Sequence, residues 1–350
     1  MNKRRILLLL LIHALWTAAY PNTQIDSSNG LSNNFILSMA LDGEGNVWVG
    51  TESGLNCIAG HTINVYRREQ LGIPNEKVMA LFYDRHRNRM LVGTEMGLVA
   101  YNCQQGHFGE QMQGDELVRY SLVNIADDHR QGVWLIYGNG QIQHLDCSTN
   151  QVTTFPTQVP DCRCGMDDGQ GLLYIGHNKD GVSIIDQKKG IVVRHYQGAE
   201  GLKVEGGQNL PSSNVRRIVK DSRGQIWMGT DQGLVLYRPD TESFALADNI
   251  SAAAGERANV YDIMEMADGH LWTVNDVGGV LTDDGRQVET SSQNTRCILQ
   301  DAYHNVWIGN HSTGVDFIPS RKPLFQPLAL NDGKAMRVYG ITSDQHDRIC

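Results

Sequence analysis

The residues of this chain best suited to recognition chemistry are amides, imidazoles and rings gathered at four short turns. These are Tyr137-Gly138-Asn139, His177-Asn178-Lys179-Asp180, Asn275-Asp276 and Asn310-His311. Amides offer paired donors and acceptors, carboxylates accept, and a ring presents an apolar face with a polar tip. That combination suits a hydroxyl-rich ligand. Tyr137, Asn139, His177, Lys179, Asn275, Asp276, Asn310 and His311 are therefore the candidate ligand-binding residues. A plainer reading, ordinary variation among solvated loops, fits the same residues.

Bond-making chemistry finds less support. The chain has no G-x-S-x-G, no H-E-x-x-H and no phosphate-cradling Gly-rich loop before a helix. Many of its 39 acidic residues stand at turns, where Asp is expected for backbone reasons, so no carboxylate pair stands out for hydrolysis. Asp-x-x-Gly near Trp is loosely like the Asp-box of sialidases but lacks its Ser and Thr. Each repeated Asp is expected to bond its own turn. The seven cysteines are odd in number and form no disulfide framework. Cys162 and Cys164 make a C-x-C, which on a strand would direct both thiols to one face, but two ligands are not a zinc site. The cysteines read as small apolar filler, and His86, His129 and His304 as turn residues. No catalytic residue, metal or cofactor is expected.

What positions the four turns is a repeat. Seven times between Gly30 and Phe325 the chain restates one block, clearest in DGEGNVWVGTESGL (Asp42 to Leu55), DSRGQIWMGTDQGL (Asp221 to Leu234) and DAYHNVWIGNHSTG (Asp301 to Gly314). Its large apolar slot falls at Trp48, Leu91, Trp134, Tyr174, Trp227, Trp272 and Trp307, spaced by 43, 43, 40, 53, 45 and 35 residues. A period near 40 with short strands and Gly/Asp/Asn turns marks a β-propeller, one four-stranded antiparallel blade per repeat. The fold class is all-β: a seven-bladed propeller, with the start of a further blade at the C-terminus. The aromatic column is expected between blades. Three residues before each slot stand Gly45, Asn88, Gln131, Gly171, Gly224, Gly269 and His304, a column suited to positive φ, with Gln131 the exception beside Gly132. Gln24-Ile25-Asp26 is in register with outer strands such as Ile63 to Tyr66 and Leu324 to Leu328, and can complete the last blade from the other end of the chain. In this topology the second-to-third-strand turns and the connections between blades share one face, where the candidate residues would lie.

Lys3, Arg4 and Arg5, an apolar run from Ile6 and small residues to Ala19 follow the order of a secretory signal over residues 1–19. The 14 residues from Ile6 to Ala19 fall short of the ~20 needed to span a bilayer. No cysteine precedes Cys57, which excludes a lipoprotein anchor there. Removing that leader leaves 27 basic against 39 acidic residues, a formal charge of −12. So acidic a domain has no electrostatic footprint for nucleic acid. Residues 20–328 are expected to form the propeller, and 329–350 the truncated start of a second one.

The pattern running from Leu31 to Asp42 to NVWVGT, from Ile73 to Asp84 to RMLVGT, and from Leu210 to Asp221 to QIWMGT resembles two-component regulator propeller repeats. Those repeats build the periplasmic sensors of Bacteroidetes hybrid two-component systems. Repeat three departs at Ile136-Tyr137 and repeat six at Val274-Asn275, where Gly-Thr is expected. The resemblance implies a periplasmic sensor of oligosaccharides that controls polysaccharide-utilisation genes through a kinase outside this segment. It also implies a second propeller and a sandwich domain in the same parent chain, anchored in the inner membrane, and a homodimeric receptor. The segment itself would then not be an enzyme. Two alternatives remain at this level: a secreted propeller lyase resembling streptogramin lyase, and a non-catalytic interaction scaffold.

Overall fold

The computed structural model describes residues 23–68, 75–198, 210–247 and 258–320. The expected leader, the Leu324–Leu328 strand and residues 329–350 lie outside them. The chain divides into two units, Met1–Ser320 and Arg321–Cys350, the second wholly outside the described residues.

Every described element is a strand, and the strands form seven sheets. Within each blade the first strand lies innermost and its successors follow outward by antiparallel hairpins. The seven inner strands are Ile36–Leu41, Val78–Asp84, Leu122–Asp127, Cys162–Asp167, Val215–Lys220, Val260–Glu265 and Thr295–Gln300, defining blades 1 to 7. Each touches the next, and the last touches the first, so they close a ring around a channel. The expected closure is present: Thr23–Ile25 pairs antiparallel with Val315–Ile318 and supplies the fourth strand of blade 7. Blade 3 departs from four strands, because Gln113–Gly114 from the preceding connection adds a parallel fifth.

The core is correspondingly divided into wedges. Seven apolar clusters fill the seven junctions between neighbouring blades. The large slot sits at these junctions as expected, with Trp48 packing on Val78, Met90 and Tyr101 of blade 2. The turn column holds too: Gly45, Asn88, Gly171, Gly224, Gly269 and His304 have positive φ. In blade 3 the left-handed residue is His129 (φ 58°), not Gln131 or its neighbour.

The repeated Asp does more than bond its turn. In blade 1, Asp42 Oδ1 accepts from the Asn46 amide (2.9 Å), and Oδ2 accepts from the Trp48 indole (2.9 Å). Asp221–Trp227 (3.0 Å) and Asp301–Trp307 (3.2 Å) repeat that bond in blades 5 and 7. Blade 2 has Leu91 in the slot, and there the Arg89 Nε donates to Asp84 instead (2.8 Å). In blade 3 Asp128 is taken by His144 (2.9 Å), so the Trp134 indole crosses to Asp167 of blade 4 (2.8 Å). Blade 6 has Met266 where the Asp should be, and its Trp272 indole N–H is buried without an acceptor. An unpaired buried donor costs free energy that a matched bond does not. Trp272→Phe should therefore be tolerated better than Trp48→Phe by about 1–3 kcal/mol, both leaving a similar void. Equal losses in chemical denaturation would show that the Asp–indole bond carries no stability.

Candidate functional site

Two features set the geometry of the propeller's ligand-accessible centre. The first is a register shift at the second residue of every inner strand, between Ile36/Ser38 in blade 1 and at the matching place in the other six. Such a bulge inserts one residue without a cross-strand partner and reverses the alternation of side chains beyond it. The first residue of each strand thus packs toward the preceding blade and the third toward the following one. Val78 joins the blade 1–2 cluster, for example, and Ala80 the blade 2–3 cluster. This corrects the expectation for C-x-C. Cys162 lies in the blade 3–4 cluster and Cys164 in the blade 4–5 cluster, on opposite sides of their sheet. Burial pushes both thiols up to about 12, which leaves them unreactive near neutrality.

The bulged residues themselves point into the channel. They are Leu37, Met79, Val123, Arg163, Arg216, Tyr261 and Arg296, and all line a central cavity of about 540 Å³. One half of this ring is apolar and the other carries three arginines and a tyrosine. Arg216 and Arg296 both lie over the Tyr261 ring, their guanidinium carbons 4.8 and 3.9 Å from its centre. Arg163 contacts the Asn178 side chain (3.3 Å), and Arg216 approaches that of Asn259 (3.5 Å). One strand position deeper, Arg217 pairs with Asp262 at 2.9 Å.

The second feature is the neighbouring set of second-to-third-strand turns, which adjoin the starts of the inner strands as expected. The Gly138 amide bonds Ser121 O, and the His311 amide bonds Asn294 O. The position that opens these turns is Thr51, Thr94, Tyr137, His177, Thr230, Asn275 and Asn310, and every one is fully buried. Thr51, Thr94 and Thr230 donate to the carbonyl three residues on, clamping a tight turn. The four that differ turn inward in the same way. Tyr137 OH donates to Gln143 (3.0 Å), and the His177 ring spans Pro160 O (2.6 Å) and Ser183 Oγ (2.7 Å). Asn275 Oδ1 accepts from the amides of Val277 and Gly278, and Asn310 Nδ2 donates to Gly314 O (3.1 Å). Burial holds His177 below the usual histidine range, so it stays neutral. Tyr137, His177, Asn275 and Asn310 are thus placed as turn supports rather than on the open face.

The remaining four candidates are accessible but stand in two groups. Asn139 and Lys179 belong to the adjacent blades 3 and 4, and Asp276 and His311 to blades 6 and 7. Asp276 accepts from the backbone amide (3.0 Å) and side chain of Asn259. The His311 ring packs 4.0 Å from that of Phe35, and burial followed by the Arg296 charge lowers its affinity for a proton. The second group therefore borders the arginine side of the channel mouth. Sequence reasoning missed Arg163, Arg216, Tyr261 and Arg296. A trace was present, Arg at one inner-strand position in three of four consecutive repeats, but nothing in residue type marked that position as a bulge.

Comparison with known proteins places the fold. The two-component regulator propeller model matches residues 30–53 and 209–232. No curated protein matches the chain. Among solved structures, the extracellular domain of the hybrid two-component system BT3049 from B. thetaiotaomicron is similar, with 26% identity and a TM-score of 0.73 over 87% of this chain. That of BT4673 from the same organism aligns at 17% identity and a TM-score of 0.68 over 85%. The chain spans 42% and 39% of these two structures. A virginiamycin B lyase from Staphylococcus aureus shares the fold alone, at 12% identity and a TM-score of 0.62, over 85% of this chain and 98% of the lyase. The chain thus carries two stretches that match the two-component regulator propeller model, and it is similar in fold to the extracellular domains of hybrid two-component systems.

Proposed function

We propose that this chain is the extracytoplasmic sensing domain of a hybrid two-component receptor that responds to oligosaccharides. The observation carrying this reading is the likeness along 87% of the chain to one extracellular domain of such a system, together with the two matched repeats. In this reading the kinase lies elsewhere in the parent protein, and polysaccharide-utilisation genes are the output. The partners are a second propeller and a sandwich domain of the parent, and a second copy of the receptor. The propeller itself performs no chemistry. Its central cavity of about 540 Å³, bordered by Leu37, Met79 and Val123 on one side and by Arg163, Arg216, Tyr261 and Arg296 on the other, has a size that suits one or two sugar residues.

Titration calorimetry of the folded chain against a panel of neutral and acidic oligosaccharides tests this reading. Saturable heat with one glycan class at submillimolar affinity is the expected result. Silence across the panel would overturn direct binding and leave the propeller as a spacer or dimerising element.

A further inference from the structure

We infer that the arginine side of the channel mouth is an oxyanion subsite, formed by Arg163, Arg216 and Arg296, that selects acidic oligosaccharides bearing carboxylate or sulfate groups. This rests on the reading of the chain as a glycan receptor and specifies what that receptor takes. The three guanidiniums occupy the bulged position of blades 4, 5 and 7, and all line the same cavity. Among the described residues none of the three forms an ion pair, although the chain as a whole carries a formal charge of −9. Arg217 faces the Asp262 carboxylate at 2.9 Å in the channel wall, whereas the three meet only neutral partners: Asn178 for Arg163, Asn259 for Arg216, and the Tyr261 ring for Arg216 and Arg296. The Nε groups of Arg216 and Arg296 are buried and have no acceptor.

Like charges gathered in a cleft repel, and such an arrangement persists only where something offsets it. Tyr261 does so in part, its ring face lying against both Arg216 and Arg296. A planar fork of N–H donors matches a carboxylate or sulfate in two-point contact, as a lysine ammonium would not. Burial, with the neighbouring Arg216 charge, holds both Arg163 and Arg296 below the usual arginine range, a strain that a bound anion would relieve. The opposite wall of the mouth is Leu37, Met79 and Val123. A ligand lying across the channel would thus meet charge at one end and an apolar surface at the other, as an acidic sugar with its ring face does.

Calorimetry at low salt with the folded chain tests the assignment, using a trigalacturonate, a sulfated heparin disaccharide, a neutral galactotriose and inorganic sulfate as probes. Binding of an acidic oligosaccharide is expected, weakened about tenfold by either Arg216→Gln or Arg296→Gln. Added salt should weaken it as well, whereas Arg286→Gln on an exposed turn should change nothing. Both mouth variants should melt at or above the parent temperature, since each removes an unpaired charge, so lost binding will not report lost folding. Neutral oligosaccharide binding that ignores both substitutions would overturn the subsite and leave the receptor reading intact. Inorganic sulfate binding as tightly as the acidic sugars would overturn selection of a glycan. Failure of every probe would overturn both.

Discussion

Replacing Arg89 with leucine is expected to destabilise the propeller by about 3–5 kcal/mol and to lower its melting point by roughly 5–15 °C. Arg89 is fully buried, and so is Asp84, whose Oδ2 it meets at 2.8 Å. It also donates to Asn150 in blade 3 (2.8 Å) and faces Glu110 of the connection before that blade (3.0 Å). One side chain therefore ties a turn of blade 2 to two segments belonging to its neighbour. Leucine fills much of the volume but leaves the Asp84 carboxylate enclosed without a counter-charge, which is costlier than losing the pair as a unit. The double variant Arg89→Leu, Asp84→Leu should accordingly recover a large part of the loss. A single variant within 1 kcal/mol of the parent, or a double variant no better than the single, would show that the pair is not what holds this junction.

Gly229→Val is expected to cost roughly 3 kcal/mol, at the upper end of overpacking penalties. This glycine precedes Thr230 in the second strand of blade 5, and a Cβ there would stand 2.8 Å from Val260 O and 2.9 Å from Val260 Cγ1. The obstacle includes backbone of the next inner strand, which cannot rotate away. Gly50, Gly93, Gly176 and Gly309 face the following blade in the same manner. Blade 3 carries Ile136 at this position, and the structure shows why that is tolerated. The missing glycine reappears across the junction as Gly165, whose Cβ would lie 2.0 Å from Ile136 Cδ1. Gly165→Val alone should destabilise comparably, and Ile136→Gly should rescue it. Additive losses from those two substitutions, measured by denaturant titration, would refute the exchange.

That pair illustrates which parts of the fold were legible in the sequence. Blade number, the aromatic slot and the closing strand were readable, because hydrophobic periodicity and turn chemistry repeat with each blade. The departure at Ile136-Tyr137 was visible as well, but its compensation at Gly165 was not, since it lies on a different repeat and is apparent only in space. The Asp–Trp bond escaped notice because Asp at a turn is already accounted for by backbone bonding. Turn residues such as His177 and Asn310 looked like ligand contacts because their types are polar. Their burial follows from replacing a threonine that clamps the turn from inside. The arginines were hidden by the bulge, which is set by pairing geometry and accepts Leu, Met, Val, Arg or Tyr alike.

The clasp between Thr23–Ile25 and Val315–Ile318 also constrains how the molecule comes into being. Gln24 donates to Thr313 O across 289 positions of sequence, so the earliest residues of the ring wait for nearly the last. A growing chain can fold individual blades from local hairpins, but its circle stays open until about residue 318 has been made. Pairings of such long range slow folding. Once made, Val315–Ile318 presents an uncovered edge to any other extended chain nearby until Thr23–Ile25 pairs with it as the fourth strand of blade 7.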